Sequence, residues 1–340
     1  MRSEKEERTR GTMMKWKLIS DIILLIEGFF GFSCSLIYLL ILIRHRSCRN
    51  SSLALLVGNA SLAGLLFHLI ISIQSIHMLI GKAEVNCVLR GHLIHAFIGS
   101  VYHSICLQAL HRLFVVVFPS RTVLQKPKTL IIMTIIQWIF SLTFCLPKLN
   151  AYPMISDICL GPFHFRFVFI HLTIAVYLFP TILLICIYSI IFHEINKKTS
   201  SRLIKHRILQ RRWRREVLIL SRITIPVFII LVTGLPLATF FIQGQFTFET
   251  PEYKVRLALI CATGGTALVM LANIIFTDSV RQHLSFVDKL FIRVHFKTQS
   301  NESDSTPFVG INLRKLEVIH RNSTADSQHK LVDKNLVQVE

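Results

Sequence analysis

The chain has 340 residues, 52% of them apolar and 17% charged, where an ordinary soluble domain carries about 25% charged residues. Its formal net charge is +19, but the basic residues stand in short segments beside long apolar runs. There is no aromatic interleaving and no recognisable nucleic-acid module, so composition argues against nucleic-acid binding and for a lipid bilayer as the surroundings.

A hydrocarbon core of about 30 Å needs roughly 20 apolar helical residues. Seven segments meet or approach that length: 22–43, 53–80, 92–118, 130–146, 165–192, 217–242 and 255–277. None shows the alternation over about 10 residues that marks a membrane β-barrel strand. The pattern predicts an all-α membrane protein, a seven-transmembrane helix bundle over 22–277 preceded by an outside terminus, 1–21. Beyond it, Val280, Leu284, Val287, Phe291 and Val294 recur at helical spacing among charges. They predict a cytoplasmic amphipathic helix 8 over 279–297, followed by a disordered cytoplasmic tail, 298–340. No internal repeat is visible, which weighs against transporter folds built from duplicated halves. No secretory signal precedes the first span, which is expected to act as its own targeting signal.

Lysine and arginine fix the orientation. Arg44, Arg46 and Arg49 follow the first span, Arg121, Lys126 and Lys128 the third. The segment 196–215 carries nine basic residues and no acid. The alternate connections are poorer, so the amino terminus is expected outside and the carboxyl terminus in the cytoplasm, with the plasma membrane as location. Six basic residues against three glutamates among the first 17 oppose that orientation. The larger charge of 196–215 is expected to prevail.

The eight cysteines form no CxxC pair and no cysteine–histidine cluster with metal spacing, so neither a metal nor a cofactor is expected. Cys34, Cys106, Cys145, Cys186 and Cys261 lie in apolar runs, whereas Cys87 and Cys159 stand at loop borders. No nucleophile–base set shares a helix face, so no enzyme activity is expected.

Particular residues sit at particular places in successive spans. The second span reads Asn59-Ala60-Ser61-Leu62-Ala63-Gly64-Leu65. The third opens near Cys87; Arg112 follows 25 residues later, within Ala109-Leu110-His111-Arg112-Leu113, and Pro119 comes seven after that. The fourth holds Trp138; the fifth holds Pro180 and Tyr188, eight apart. The sixth holds Pro236, with Glu216 20 residues before it. Over roughly residues 20–295 this set resembles the rhodopsin-like (class A) G-protein-coupled receptor family. Its members carry N-L-A-x-A-D-L, D-R-Y, a tryptophan, and the helix 5 and helix 6 prolines at such places. Alone, Arg112 would read as an interface arginine that snorkels to water. Its common register with Cys87, Pro119, Pro180, Tyr188 and Glu216 favours the receptor arginine.

The resemblance implies that Arg112 pairs with Glu216 in one state and meets a heterotrimeric G protein in another. Tyr188, Pro180 and Pro236 would belong to the same switch, and arrestin and receptor kinases would engage the tail. It also implies a ligand pocket formed by Gln74, Ile94, His95, Ile98, Leu172, Leu237 and Phe241. Ile94 stands where amine receptors carry aspartate, so a typical biogenic amine is disfavoured as the extracellular ligand. No lysine lies inside the seventh span, so a retinal Schiff base is not expected. At 100° per residue His92, His95 and His103 fall in an arc of about 80° directed mostly toward the fourth and fifth spans. Cys87 and Cys159 both face the oxidising side in this topology, and a disulfide between them is expected.

The departures from the family are as specific. Gly64 replaces its sodium-binding aspartate, Phe32 its helix 1 asparagine and His111 its D-R-Y acid. Thr233-Gly234-Leu235-Pro236 replaces C-W-x-P, and Met270 to Phe276 lack the N-P-x-x-Y proline and tyrosine. Two rivals therefore stay open: a receptor-shaped decoy that signals poorly, and a small transporter or channel. Against the latter, Glu27 is the only acid well inside a span.

Overall fold

The computed structural model describes residues 2–49, 51–81, 86–144, 146, 170–171, 173–200, 224–236, 239–240, 243, 252–277 and 280. All of these lie in one compact unit, Met1–Ser285. The expected helix 8, apart from Val280, and the tail fall outside the described residues. Among the described residues the chain is helical throughout and has no strand.

The helices run α1 Arg2–Arg44, α2 Arg46–Arg49, α3 Ser52–Ile80, α4 Cys87–Val116, α5 Pro127–Thr143, α6 Phe179–Ser200, α7 Thr224–Pro236 and α8 Glu252–Phe276. Local chemistry sets several of their ends. Ser51 caps α3 by accepting from the Ala54 N–H, and Gly81, at φ +72°, closes it with its N–H on the His77 and Met78 carbonyls. A left-handed residue of that kind favours glycine. Pro127 starts α5 where its missing N–H would have been unpaired anyway. A π-helical turn, Thr173–Leu178, leads into α6.

Among the described residues, five helical stretches are long and apolar enough to cross a bilayer: Met14–Arg44, Ser52–Ile80, Cys87–Val116, Thr173–Glu194 and Tyr253–Phe276. Pro127–Thr143 and Thr224–Pro236 are apolar but shorter. At 1.5 Å per residue the former spans about 26 Å, just under the hydrocarbon thickness of about 30 Å. Its surface is nonetheless built for lipid. Ile131, Ile132, Ile135, Ile136 and Ile139 are each more than half exposed, an apolar band that water would not tolerate. Each of the seven predicted segments overlaps one of the seven longer helices, and five of those reach spanning length.

The first helix runs through the boundary expected at residue 21. Residues 2–21 are helical, and Ser20 and Asp21 are buried. At the centre of the unit is α4: 83% of its most apolar stretch is buried, against 33% for Met14–Arg44 and 28% for Thr173–Glu194. It therefore touches neighbours nearly all round, packing on α3, α5 and α6, while α1 packs on α3 and α8. The short α2 leaves Cys48 wholly buried, and that burial pushes its thiol up and makes it a poor nucleophile.

Glycines set the close approaches. A Cβ at Gly64 would lie 2.7 Å from the Met270 sulfur, so a methionine from α8 fills the space where the family's aspartate would project. Gly234 abuts the Tyr177 ring and leaves no room for a Cβ. The Tyr177 hydroxyl donates to the Leu231 carbonyl at 3.3 Å, tying α7 to the π turn. The tryptophan of the family's C-W-x-P could not occupy that position without displacing the tyrosine.

Candidate functional site

At its Arg112 end, α4 changes from fully enclosed to half-buried. His111 is buried there, and Arg112 is intermediate. The Tyr188 side chain comes across from α6 into the electrostatic field of both Arg112 and Cys106. Its hydroxyl is buried and bonds to no protein group. Six residues deeper along α4, the Cys106 thiol donates to the Pro180 carbonyl at 3.6 Å. The structure thus brings Arg112, Tyr188 and Pro180 to one α4–α6 seam. Glu216 lies outside the described residues, so the Arg112–Glu216 pair has no geometry here. Pro236 is the last residue of α7, and no bond joins it to Arg112, Tyr188 or Pro180 among the described residues.

Pro180 gains a structural reason from the π turn. Counted five residues ahead, the π pattern would pair the Ala175 carbonyl with the N–H of residue 180, and proline has none. His103 supplies the donor from α4, its Nε2 lying 3.1 Å from that carbonyl. A carbonyl only accepts, so Nε2 carries the proton, and in the neutral ring Nδ1 accepts from the Ser141 hydroxyl at 2.9 Å.

That histidine is one end of a larger polar network. The Gln137 amide donates to the Ser100 hydroxyl at 2.7 Å and to the Ser100 carbonyl at 3.2 Å. Asn59 donates to Gln137 Oε1 at 2.8 Å and to Ser104 Oγ at 2.9 Å. Trp138 Nε1 donates to Asn59 Oδ1 at 2.7 Å. Side chains of α3, α4 and α5 satisfy one another, each bond adding on average about 0.6 kcal/mol in a membrane interior. Asn59 and Trp138 were visible in the sequence as motif residues. Gln137 was not, although a glutamine inside an apolar run is a signal that could have marked it.

Of the expected pocket residues, Ile94 and Ile98 lie in the main hydrophobic cluster and Gln74 is wholly buried. His95 is half-buried, with Nδ1 2.7 Å from the Gly91 carbonyl of its own helix. Leu172, Leu237 and Phe241 fall outside the described residues. Of the three α4 histidines, His103 reaches the elements of the fourth and fifth spans, whereas His95 bonds to the Gly91 carbonyl of α4 itself.

No disulfide pair is found among the described residues. Cys34, Cys48, Cys106, Cys186 and Cys261 are free thiols. Cys159, the expected partner of Cys87, lies outside the described residues, as does Cys145. No cluster of three or more histidine, cysteine, aspartate or glutamate residues that could hold a metal occurs among the described residues.

One ion pair escaped the sequence reading. Arg256, near the start of α8, is 1% exposed and pairs with Asp21 of α1, itself 4% exposed. Its Nη1 also donates to Ser20 Oγ at 3.1 Å and to the Lys17 carbonyl at 3.5 Å. In sequence the arginine reads as one of two basic residues, Lys254 and Arg256, beside Glu249 and Glu252, and nothing local names a partner 235 residues away.

No protein-family model matches the chain, and no curated protein matches it.

Proposed function

We propose that this chain is a divergent rhodopsin-like receptor of the plasma membrane. Ligand binding at the outer end would be passed to a heterotrimeric G protein by rearrangement of the third and sixth spans. The seven-span arrangement, with the amino terminus outside and the carboxyl terminus cytoplasmic, belongs to this reading, as does pairing of Cys87 with Cys159. Mass spectrometry of unreduced peptides tests that pairing; a Cys87 peptide joined to Cys145 instead would sink it.

The observation that carries the reading is the seam at the Arg112 end. There an arginine ends the most enclosed helix, with Tyr188 of α6 beside it and the strongly basic segment 196–215 following α6. A partly buried charge near an interface is inexpensive to release, at about 1 kcal/mol or less, which suits a switch. The carboxylate of Glu216 is the counter-charge this reading assigns to Arg112. Glu216→Ala is therefore expected to raise basal G-protein activation, up to roughly fivefold. Arg112→Ala is expected to lower activation at unchanged surface expression. If both variants signal like the parent at matched surface levels, the receptor reading fails.

A proton-linked transporter is the second reading, and one observation favours it. Glu27 and His68 are ionisable groups inside the bundle, the type of residue that marks ion pathways in membranes. Substrate flux driven by a proton gradient in vesicles, without G-protein activation in cells, would put it first.

A further inference from the structure

Three helices, α1, α3 and α8, meet around a set of glycines. Glu27 of α1 lays its carboxyl against α8, where a Cβ at Gly264 would lie 2.7 Å from Oε1. One turn further along α1, Gly31 receives the His68 ring of α3 so closely that no Cβ fits. Gly28, between them, abuts the Ser72 hydroxyl in the same way. His68 is 0% exposed, and neither of its ring nitrogens bonds to a protein group. The same holds for Glu27 Oε2 and for the hydroxyl of Thr263, which precedes Gly264 and is 0% exposed. A carboxyl and an imidazole thus sit within one turn of each other along α1, each seated on a glycine.

We propose that Glu27 and His68 form a proton-binding site at the α1–α3–α8 junction, whose occupancy sets how closely α1 packs on the other two helices. A carboxyl becomes charged when its proton leaves, and an imidazole when one arrives. Either charge is costly in an apolar interior without a counter-charge. The His68 ring, 0% exposed and seated on Gly31, does not reach solvent unless α1 moves, and the half-buried Glu27 keeps its carboxyl against Gly264 of α8 across the same packing surface. Protonation and helix packing are therefore linked.

The remaining titratable groups on the helices packed here, including Arg90, His92 and His95 of α4 beside α3, hydrogen-bond neither to Glu27 Oε2 nor to either ring nitrogen of His68. Asp21 and Arg256 are paired with each other nearer the start of α1. Cys261 of α8 feels the Glu27 carboxyl, and Cys34 lies further along α1. On α3, His77 is in the last turn, well beyond His68. The neighbouring α7, which meets Gly265 through Thr233, has no titratable side chain over Thr224–Pro236.

The test is the melting temperature of the purified full chain in lipid nanodiscs, from about pH 5.5 to about pH 8. In the parent the carboxyl favours the fold toward acid and the imidazole favours it toward alkali, so the two dependences offset each other and the melting temperature moves by less than in either variant. Glu27→Gln, left with the imidazole alone, is expected to melt higher by roughly 2–4 °C as pH rises across the range, and His68→Gln, left with the carboxyl alone, to melt lower by a similar amount. Profiles in both variants that run parallel to the parent's would overturn the site, and a changed profile in only one would overturn the two-residue form of it. Infrared spectroscopy supplies a second reading should Glu27→Gln fail to fold. The parent should show a carboxylic-acid C=O band that titrates away as pH rises and is displaced in Glu27→Asp. A band unmoved in Glu27→Asp overturns the assignment. These readouts report helix packing and not signalling, so they stand or fall separately from the receptor reading.

Discussion

Two junctions within the bundle handle buried polarity in opposite ways. Where α3, α4 and α5 meet, Asn59, Ser100, Ser104, Gln137, Trp138, Ser141 and His103 bond to one another or to backbone carbonyls. Where α1, α3 and α8 meet, Glu27, His68 and Thr263 keep atoms that bond to no protein group. A satisfied network holds helices in one arrangement, because any shift breaks several bonds together. Unsatisfied ionisable groups give weaker reasons to stay put and a reason to respond to protons. The first junction is thus built as a fixed frame, and the second as the part of the bundle with freedom to change.

That contrast can be broken most sharply at the charge pair beside the second junction. Arg256→Leu or Asp21→Leu alone strands a buried charge and is expected to lower stability by about 3–5 kcal/mol. The double replacement should recover much of that loss, because no uncompensated charge remains. Denaturant unfolding in a lipid environment measures all three. Equal losses in the single and double variants would mean that the pair does not anchor α1 to α8.

A smaller effect is expected at Gly31. Gly31→Ala forces the His68 ring to shift, with a cost of about 1–3 kcal/mol. Adding His68→Ala removes the obstacle and should restore part of the loss, a coupling read from the four-variant cycle. Strict additivity would show that the ring and the glycine do not meet in the way described.

The smallest effect belongs to the fixed frame. Gln137→Leu removes bonds to Asn59 and Ser100 and is expected to cost about 1–2 kcal/mol. Its melting profile should keep the parent's dependence on pH, since Gln137 bonds to Asn59, Ser100, Ser104 and Ser141 and to neither Glu27 nor His68. A Gln137 variant that changed the pH dependence would erase the distinction between the two junctions.

By itself the sequence determined the material of the protein and much of its order. Long apolar runs cannot leave backbone N–H and C=O groups unpaired in lipid, so helices followed from composition and run length alone. The eight-residue spacing of Pro180 and Tyr188, and the place of Arg112, were legible because periodicity along one helix is local information. Which neighbour each helix meets was not, because that depends on pairs far apart in the chain. Asp21 and Arg256 are separated by 235 residues, and His68 owes its burial to a glycine on another helix. Gly64 read as a missing acid, and only the arrival of Met270 from α8 gave it a packing role. The His103 ring found its acceptor where a proline had left a carbonyl of a different helix without its N–H. Such matches are decided when helices pack, since the free energy of a buried polar group is set by what lies across the interface and not by its neighbours in sequence.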